Sequence, residues 1–211
     1  MAKNLSPLSD AELAANIEGR RSVRRYQSSS IDREVVKRLL TAASDAPSAH
    51  NKQPWRFVVL DTFESRHTLA QAMGQKLRRD RTADGDASDL IEADIDRSYQ
   101  RITQAPIAVV LCVDMRDMHH YPDQARNDAE YLMAVQSTAM AAQNLLLAAR
   151  AEGLGACIMC APLFCPDVVI ESLQLSPQWR AQMLVTIGEP ATPGKERPRL
   201  PLDQTTRWHS D

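Results

Sequence analysis

The sequence predicts an α+β protein in which helices cover one mixed β-sheet. Three observations lead there. Short apolar runs of strand character recur along the chain: "RFVVLD", "IAVVLCVD", "GLGACIMCA" and "QMLVTIGEP". Stretches of helical period separate them, so helices and strands alternate loosely. A chain of 211 residues, 44% hydrophobic and 25% charged, also has enough apolar material for a core without metal or disulfide staples.

Taken in order, "LSDAELAANIEGR" sets Ser9 and Glu12 at capping-box spacing ahead of a helix over residues 10–19. "RRSVRRYQ" alternates too irregularly for a strand and reads as extended loop. In "IDREVVKRLLTAASDAP", Asp32 caps an amphipathic helix with Val35, Val36, Leu39, Leu40 and Ala43 inward, and Pro47 ends it. Residues 63–104 read as two charged helices around a solvated break at "TADGDAS", a flap on the body. Ile107 to Asp114 is a continuous valine-rich buried strand. A helix from about Ala125 to Ala151 follows, small and apolar on nearly all faces, and so central or at a subunit interface. Gly153 ends it. Pro166 opens a short helix in "PDVVIESLQL". The tail, residues 189–211, contains Pro190, Pro193, Pro198 and Pro201 and is expected to run extended over the surface. The whole, 1–211, reads as a single domain.

The bulk numbers exclude some functions. A net charge of −2 argues against a general nucleic-acid binder, so the four arginines of "RRSVRR" are a local feature. No apolar stretch approaches the ~20 residues of a membrane span. The start has no apolar signal core, and the four cysteines are expected to be reduced, which gives a cytoplasmic address.

Several motifs carry possible chemistry. Arg20, Arg21, Ser22, Val23 and Arg24 offer planar guanidinium forks and a hydroxyl suited to phosphate, or else form a solvated basic turn. "APSAHNKQPWRF" is a polar loop through Ser48, His50, Asn51 and Gln53. His119 and His120 sit in a second polar loop with no evident carboxylate partner. "CIMC" has C-x-x-C spacing but reads as buried strand, with no second ligand pair for zinc, so no metal is expected. "KERPRLP" places Arg197 and Arg199 where they could close a clamp on the first arginines. No dinucleotide fingerprint, P-loop or Ser-His-Asp triad is present.

In this order and spacing, "RRSVRRY", "APSAHNKQPWRF", "EGLGACIM" and "IGEP" followed by "KERPRLPLDQTTRW" resemble the nitroreductase family of flavoenzymes. The resemblance implies a nitroreductase-like fold, an intertwined homodimer, and FMN at the subunit seam. It implies that Arg20, Arg21, Ser22, Val23 and Arg24 wrap the flavin, with Arg20 on the phosphate and Arg24 near the pyrimidine edge. Arg197 and Arg199 would meet the same phosphate. Backbone N–H groups around Met159, Cys160 and Ala161 would face the ring, Asp80 would accept from N3–H, and Ser48 would border flavin and substrate. No acid–base residue is required, because the flavin carries the hydride.

Within the family, "YPDQARNDAEYLMAVQSTAMAAQNLLLAARAEGLGACIM" and "FCPDVVIESLQLSPQWRAQMLVTIGEP" resemble the flavin domain fused to the glutamyl ligase of deazaflavin-coenzyme biosynthesis. Two departures stand out: the chain has no room for the ligase, and "CIMC" replaces an aromatic and a glycine. The flavin-destroying benzimidazole synthases usually carry aspartate where Ser22 stands and resemble the chain less. The implied function is ping-pong hydride transfer through FMN to a flat conjugated acceptor, such as the dehydro precursor of the deazaflavin coenzyme. The alternative is a broad nitro- or quinone-reductase fed by NAD(P)H.

Overall fold

The computed structural model describes residues 10–209; Ser9, half of the expected capping box, lies outside them. Helix α1 is Asp10–Gly19 and α2 is Arg33–Ser44. Asp32 caps α2 as expected, its carboxylate accepting from the Glu34 N–H at 2.7 Å. Strand β1 (Trp55–Leu60) is followed by α3 (Phe63–Ala83) and α4 (Ser88–Thr103), the paired helices expected over 63–104. Next come β2 (Ile107–Asp114), α5 (Gln124–Ala151), β3 (Gly155–Met159), α6 (Pro166–Ser172) and β4 (Trp179–Gly188). The tail is extended apart from one helical turn, α7 (Leu202–Thr205).

The strands lie in the order β1-β2-β4-β3 and every pair is antiparallel. The expected mixed sheet is therefore corrected: among the described residues, parallel character is confined to an isolated bridge between Ser22 and Ala156. The sheet separates two apolar layers. Alternate β2 residues Ile107, Val109 and Leu111 face α2 and α5, while Ala108, Val110 and Cys112 face α3 and α6. All eight β2 residues are buried, which is why that strand reads as one unbroken apolar run.

Helix α5 departs from expectation in an informative way. By length and composition alone it could cross a membrane. Yet its buried residues form one stripe, Glu130, Ala134, Ser137, Thr138, Ala141, Ala142, Leu145, Leu146 and Ala149, packed on the sheet. The opposite face leaves Leu132 and Met140 exposed.

At the end of β2, Asp114 anchors one rim of the sheet. Its fully buried carboxylate accepts from the Arg116 backbone N–H at 3.1 Å, Arg116 Nη2 at 2.6 Å and Trp179 Nε1 at 3.2 Å, and pairs with Arg56 at 3.2 Å. The Arg116 bonds, outweighing burial, hold its pKa down at about 2. The folded pKa lies below the unfolded value of about 3.9, so the stabilisation is complete above pH ~4 and is lost as pH falls towards 2. We expect Asp114→Asn to cost on the order of 2 kcal/mol in urea unfolding at pH 7 and to flatten the acid limb between pH 4 and 2. An unchanged acid limb would rule out this role.

Candidate functional site: a basic cleft at the β3 edge

The segment after α1 runs beside β3. Ser22 bridges Ala156, and the Val23 N–H donates to the Ala156 carbonyl at 3.1 Å. Val23 is buried and packs on Gly155, where a Cβ would come within 2.6 Å of the Val23 Cβ. Tyr26 pins the far end. Its hydroxyl donates to the Val23 carbonyl at 2.6 Å and lies 2.8 Å from Thr186 Oγ1. The chain leaving β4 returns along the same segment: the Gln27 N–H donates to the Glu189 carbonyl and the Ala191 N–H to the Arg25 carbonyl.

This return brings the two ends of the chain together. Arg20, Arg21, Ser22 and Arg24 line one cleft of about 740 Å³ with Lys195, Arg197 and Arg199, and Gln143 of α5 closes one side. Arg21 reaches Glu196 at 3.5 Å and also donates to backbone carbonyls of Glu18 and Arg20. Among the described residues, Arg20, Arg24, Arg197 and Arg199 have no carboxylate within ion-pair distance. Glu18 and Glu196 also line the cleft, but six cations face these two acids, and that excess favours an anion.

Sequence reasoning missed Arg101. It ends α4, half-buried, and burial together with the nearby Arg24 and Arg97 pushes its guanidinium pKa down. Arg24, Arg101 and Arg20 all act on the Cys157 thiol in β3, whose pKa is nonetheless held up by burial. On α4, Arg101 has Arg97 four residues before it and no acid at helical spacing, a signal the sequence did contain. Arg97 by contrast pairs with Asp94.

The remaining expected residues are distributed more widely. Met159 ends β3 and Cys160 and Ala161 follow it, roughly 10 Å along the strand from the Ser22 bridge. The ladder to β4 ends at Met159, so the next N–H groups lie beyond it. Asp80 of α3 does not join the arginines. It pairs with Lys76 at 2.5 Å and borders a small apolar hollow shared with Ala161, between α3 and α4. Ser48 precedes β1, at the opposite sheet edge from β3, three strand spacings or roughly 14 Å away. Its Oγ accepts from the Gln53 N–H at 3.0 Å. One chain alone does not bring Ser48 to the arginines.

The four cysteines are free, and no cluster of metal-ligating side chains occurs among the described residues. A carboxylate does stand near His119 after all: Glu130 Oε1 lies 3.7 Å from Nδ1.

A profile of the nitroreductase family matches residues 17–189. A curated 5,6-dimethylbenzimidazole synthase from Rhodospirillum rubrum is 30% identical over 209 residues, covering 94% of this chain and 89% of the relative. That likeness restores a group the residue at Ser22 had set aside. An NADH dehydrogenase from Thermus thermophilus is 29% identical over 226 residues, 96% of this chain and 97% of the relative. A provisionally named nitroreductase from Desulfovibrio desulfuricans, solved in complex with FMN, has a TM-score of 0.72 at 22% identity, covering 98% of this chain and 99% of that one. At that identity the likeness shows the fold.

Proposed function

The chain belongs to the nitroreductase family, and from that membership we propose that it is an FMN-dependent oxidoreductase that passes hydride from a reduced nicotinamide to a flat conjugated acceptor such as a quinone or nitroaromatic. The observation that carries this reading is the convergence on one cleft of arginines from two distant segments, four of them with no carboxylate in ion-pair range among the described residues. The donor set fits a mononucleotide. Arg20, Arg197 and Arg199 would take the phosphate through charge-assisted forks. Arg24 and Arg101 would face the pyrimidine edge, where positive charge favours the reduced ring. The N–H groups at and just after the end of β3, at Met159, Cys160 and Ala161, would meet the ring. Bound FMN supplies the two-electron chemistry; the protein binds, orients and excludes water.

A second copy of the chain completes this reading. The cleft borders the outward face of α5 through Gln143. That face exposes Leu132 and Met140, α1 exposes Leu13 and Ile17, and the tail exposes Leu200, Leu202 and Trp208 at 82%. So much apolar surface on one chain favours a homodimer, which would bring the partner's Ser48 loop to the flavin.

The names of the relatives reported above lend no support to the deazaflavin precursor as acceptor. They do favour a second reading, synthesis of 5,6-dimethylbenzimidazole at the expense of FMN. One experiment separates these. FMN-loaded protein is reduced anaerobically with NADH or NADPH, then exposed to menadione, a nitroaromatic or air. The main reading expects reoxidation by menadione with FMN recovered intact. Loss of flavin in air with appearance of the benzimidazole would establish the second. Failure to bind FMN would exclude both.

A further inference from the structure

The loop holding Ser48 is strained and built over a buried acid. His50, Asn51 and Gln53 all have left-handed φ, at 51°, 53° and 48°. Non-glycine residues rarely adopt that region, and such strain persists where the surroundings enforce it, often at functional sites. The enforcement is visible: the Ala49 N–H donates to Ser137 Oγ of α5 at 3.3 Å. The His50 ring lies against His119, centroids 4.9 Å apart and tilted by 39°. Beneath His119 is Glu130, 2% exposed, with Oε1 3.7 Å from His119 Nδ1 and Oε2 lacking any protein hydrogen-bond partner. Both imidazoles are exposed and the carboxylate is not. A buried acid under two solvent-facing imidazoles, on an enforced loop, is an arrangement for moving a proton.

We propose that His50 is the proton donor to the acceptor, and that His119 and Glu130 are positioning residues acting through it. This rests on the reading that the Ser48 loop borders the acceptor across the subunit seam. A quinone that takes up a hydride needs one proton to become the hydroquinone, and an imidazole N–H of His50 would supply it. His50 recovers its proton through His119, and His119 from solvent. The electrons come from the reduced nicotinamide, so no further reductant is needed. Glu130 orients His119 and balances the positive charge that passes through it.

The test uses FMN-loaded full-length protein and menadione. In His50→Gln, reoxidation by menadione is expected to slow about 100-fold, the usual scale of general-acid catalysis, a far larger loss than in reduction by NADH, which needs no proton from the protein. Free imidazole should restore much of the lost rate in His50→Gly. Glu130→Gln should lower kcat for menadione about tenfold with KM unchanged. A readout independent of turnover is labelling by diethyl pyrocarbonate followed by mass spectrometry. Menadione should protect His50 at least fivefold, with His209 of the exposed tail as the unprotected control. Reoxidation of His50→Gln within threefold of wild type, or no protection of His50, overturns the proposal while leaving the flavin reading intact. Protein that does not bind FMN, or is not reduced by NADH, overturns the underlying reading and this proposal with it.

Discussion

Arg20→Glu and Arg197→Glu are each expected to weaken FMN binding at least 100-fold, about 3 kcal/mol, while leaving the thermal midpoint of the flavin-free protein unchanged. The magnitude combines loss of charge-assisted hydrogen bonds with a new like-charge contact to the phosphate. The unchanged midpoint follows from the structure, since neither side chain has a hydrogen-bond or ion-pair partner among the described residues. Arg33→Glu, at the exposed start of α2 and away from the cleft, serves as the control and should bind FMN as wild type does. Fluorescence quenching on FMN titration measures all three. If Arg197→Glu binds normally, the tail does not contribute to the site, and only the first arginine segment remains as the phosphate reader.

Gly155→Ala should damage the site without removing any group proposed to hold the cofactor. The added methyl would stand 2.6 Å from the Val23 Cβ and under 3 Å from both its γ-carbons. Valine is stiff at χ1, so the clash cannot be relieved by a rotamer change, and the arginine segment must move off β3. Overpacking of this kind costs about 1–3 kcal/mol. Because Val23 lies between Ser22 and Arg24, the same displacement should lower FMN affinity about tenfold or more. A variant with wild-type stability and FMN affinity would show that this close approach is not needed.

The parts of this fold that could be read from the sequence are those set by local chemistry. Asp32 caps α2 because a short carboxylate before an amphipathic run has an orphan N–H to accept from. β2 is legible because a strand buried on both faces must be apolar throughout. Four arginines in six positions mark a demand for an anion whatever the fold. Strand direction was not legible. Whether β3 runs antiparallel to β4 depends on how the chain returns through α6, and no local pattern records that.

The residues that sequence reasoning missed, and those one chain keeps apart from the arginines, have similar explanations. Arg101 sits on a helix dense with charge, where a cation normally reads as solvated; only the lack of an acidic neighbour at helical spacing set it apart. Glu130 stands among the polar residues of the first turns of α5. It is four residues ahead of Ala134 and so heads the buried stripe of α5, which places its carboxylate under His119. Asp80 is linked to the flavin only by the resemblance. It is four residues from Lys76, and that helical ion pair occupies its carboxylate. Ser48 is at the far sheet edge, and its role depends on a second chain, which a single sequence does not display.

The most direct measurement of the central claim compares two ligands that differ by one group. Riboflavin has the ring and ribityl chain of FMN without the phosphate. If guanidiniums from both ends of the chain seize that phosphate, FMN binds at least 100-fold more tightly than riboflavin at low salt, and the preference narrows as salt is raised. Equal affinity for the two, with no effect of salt on their ratio, would mean that the arginine cleft does not hold the cofactor.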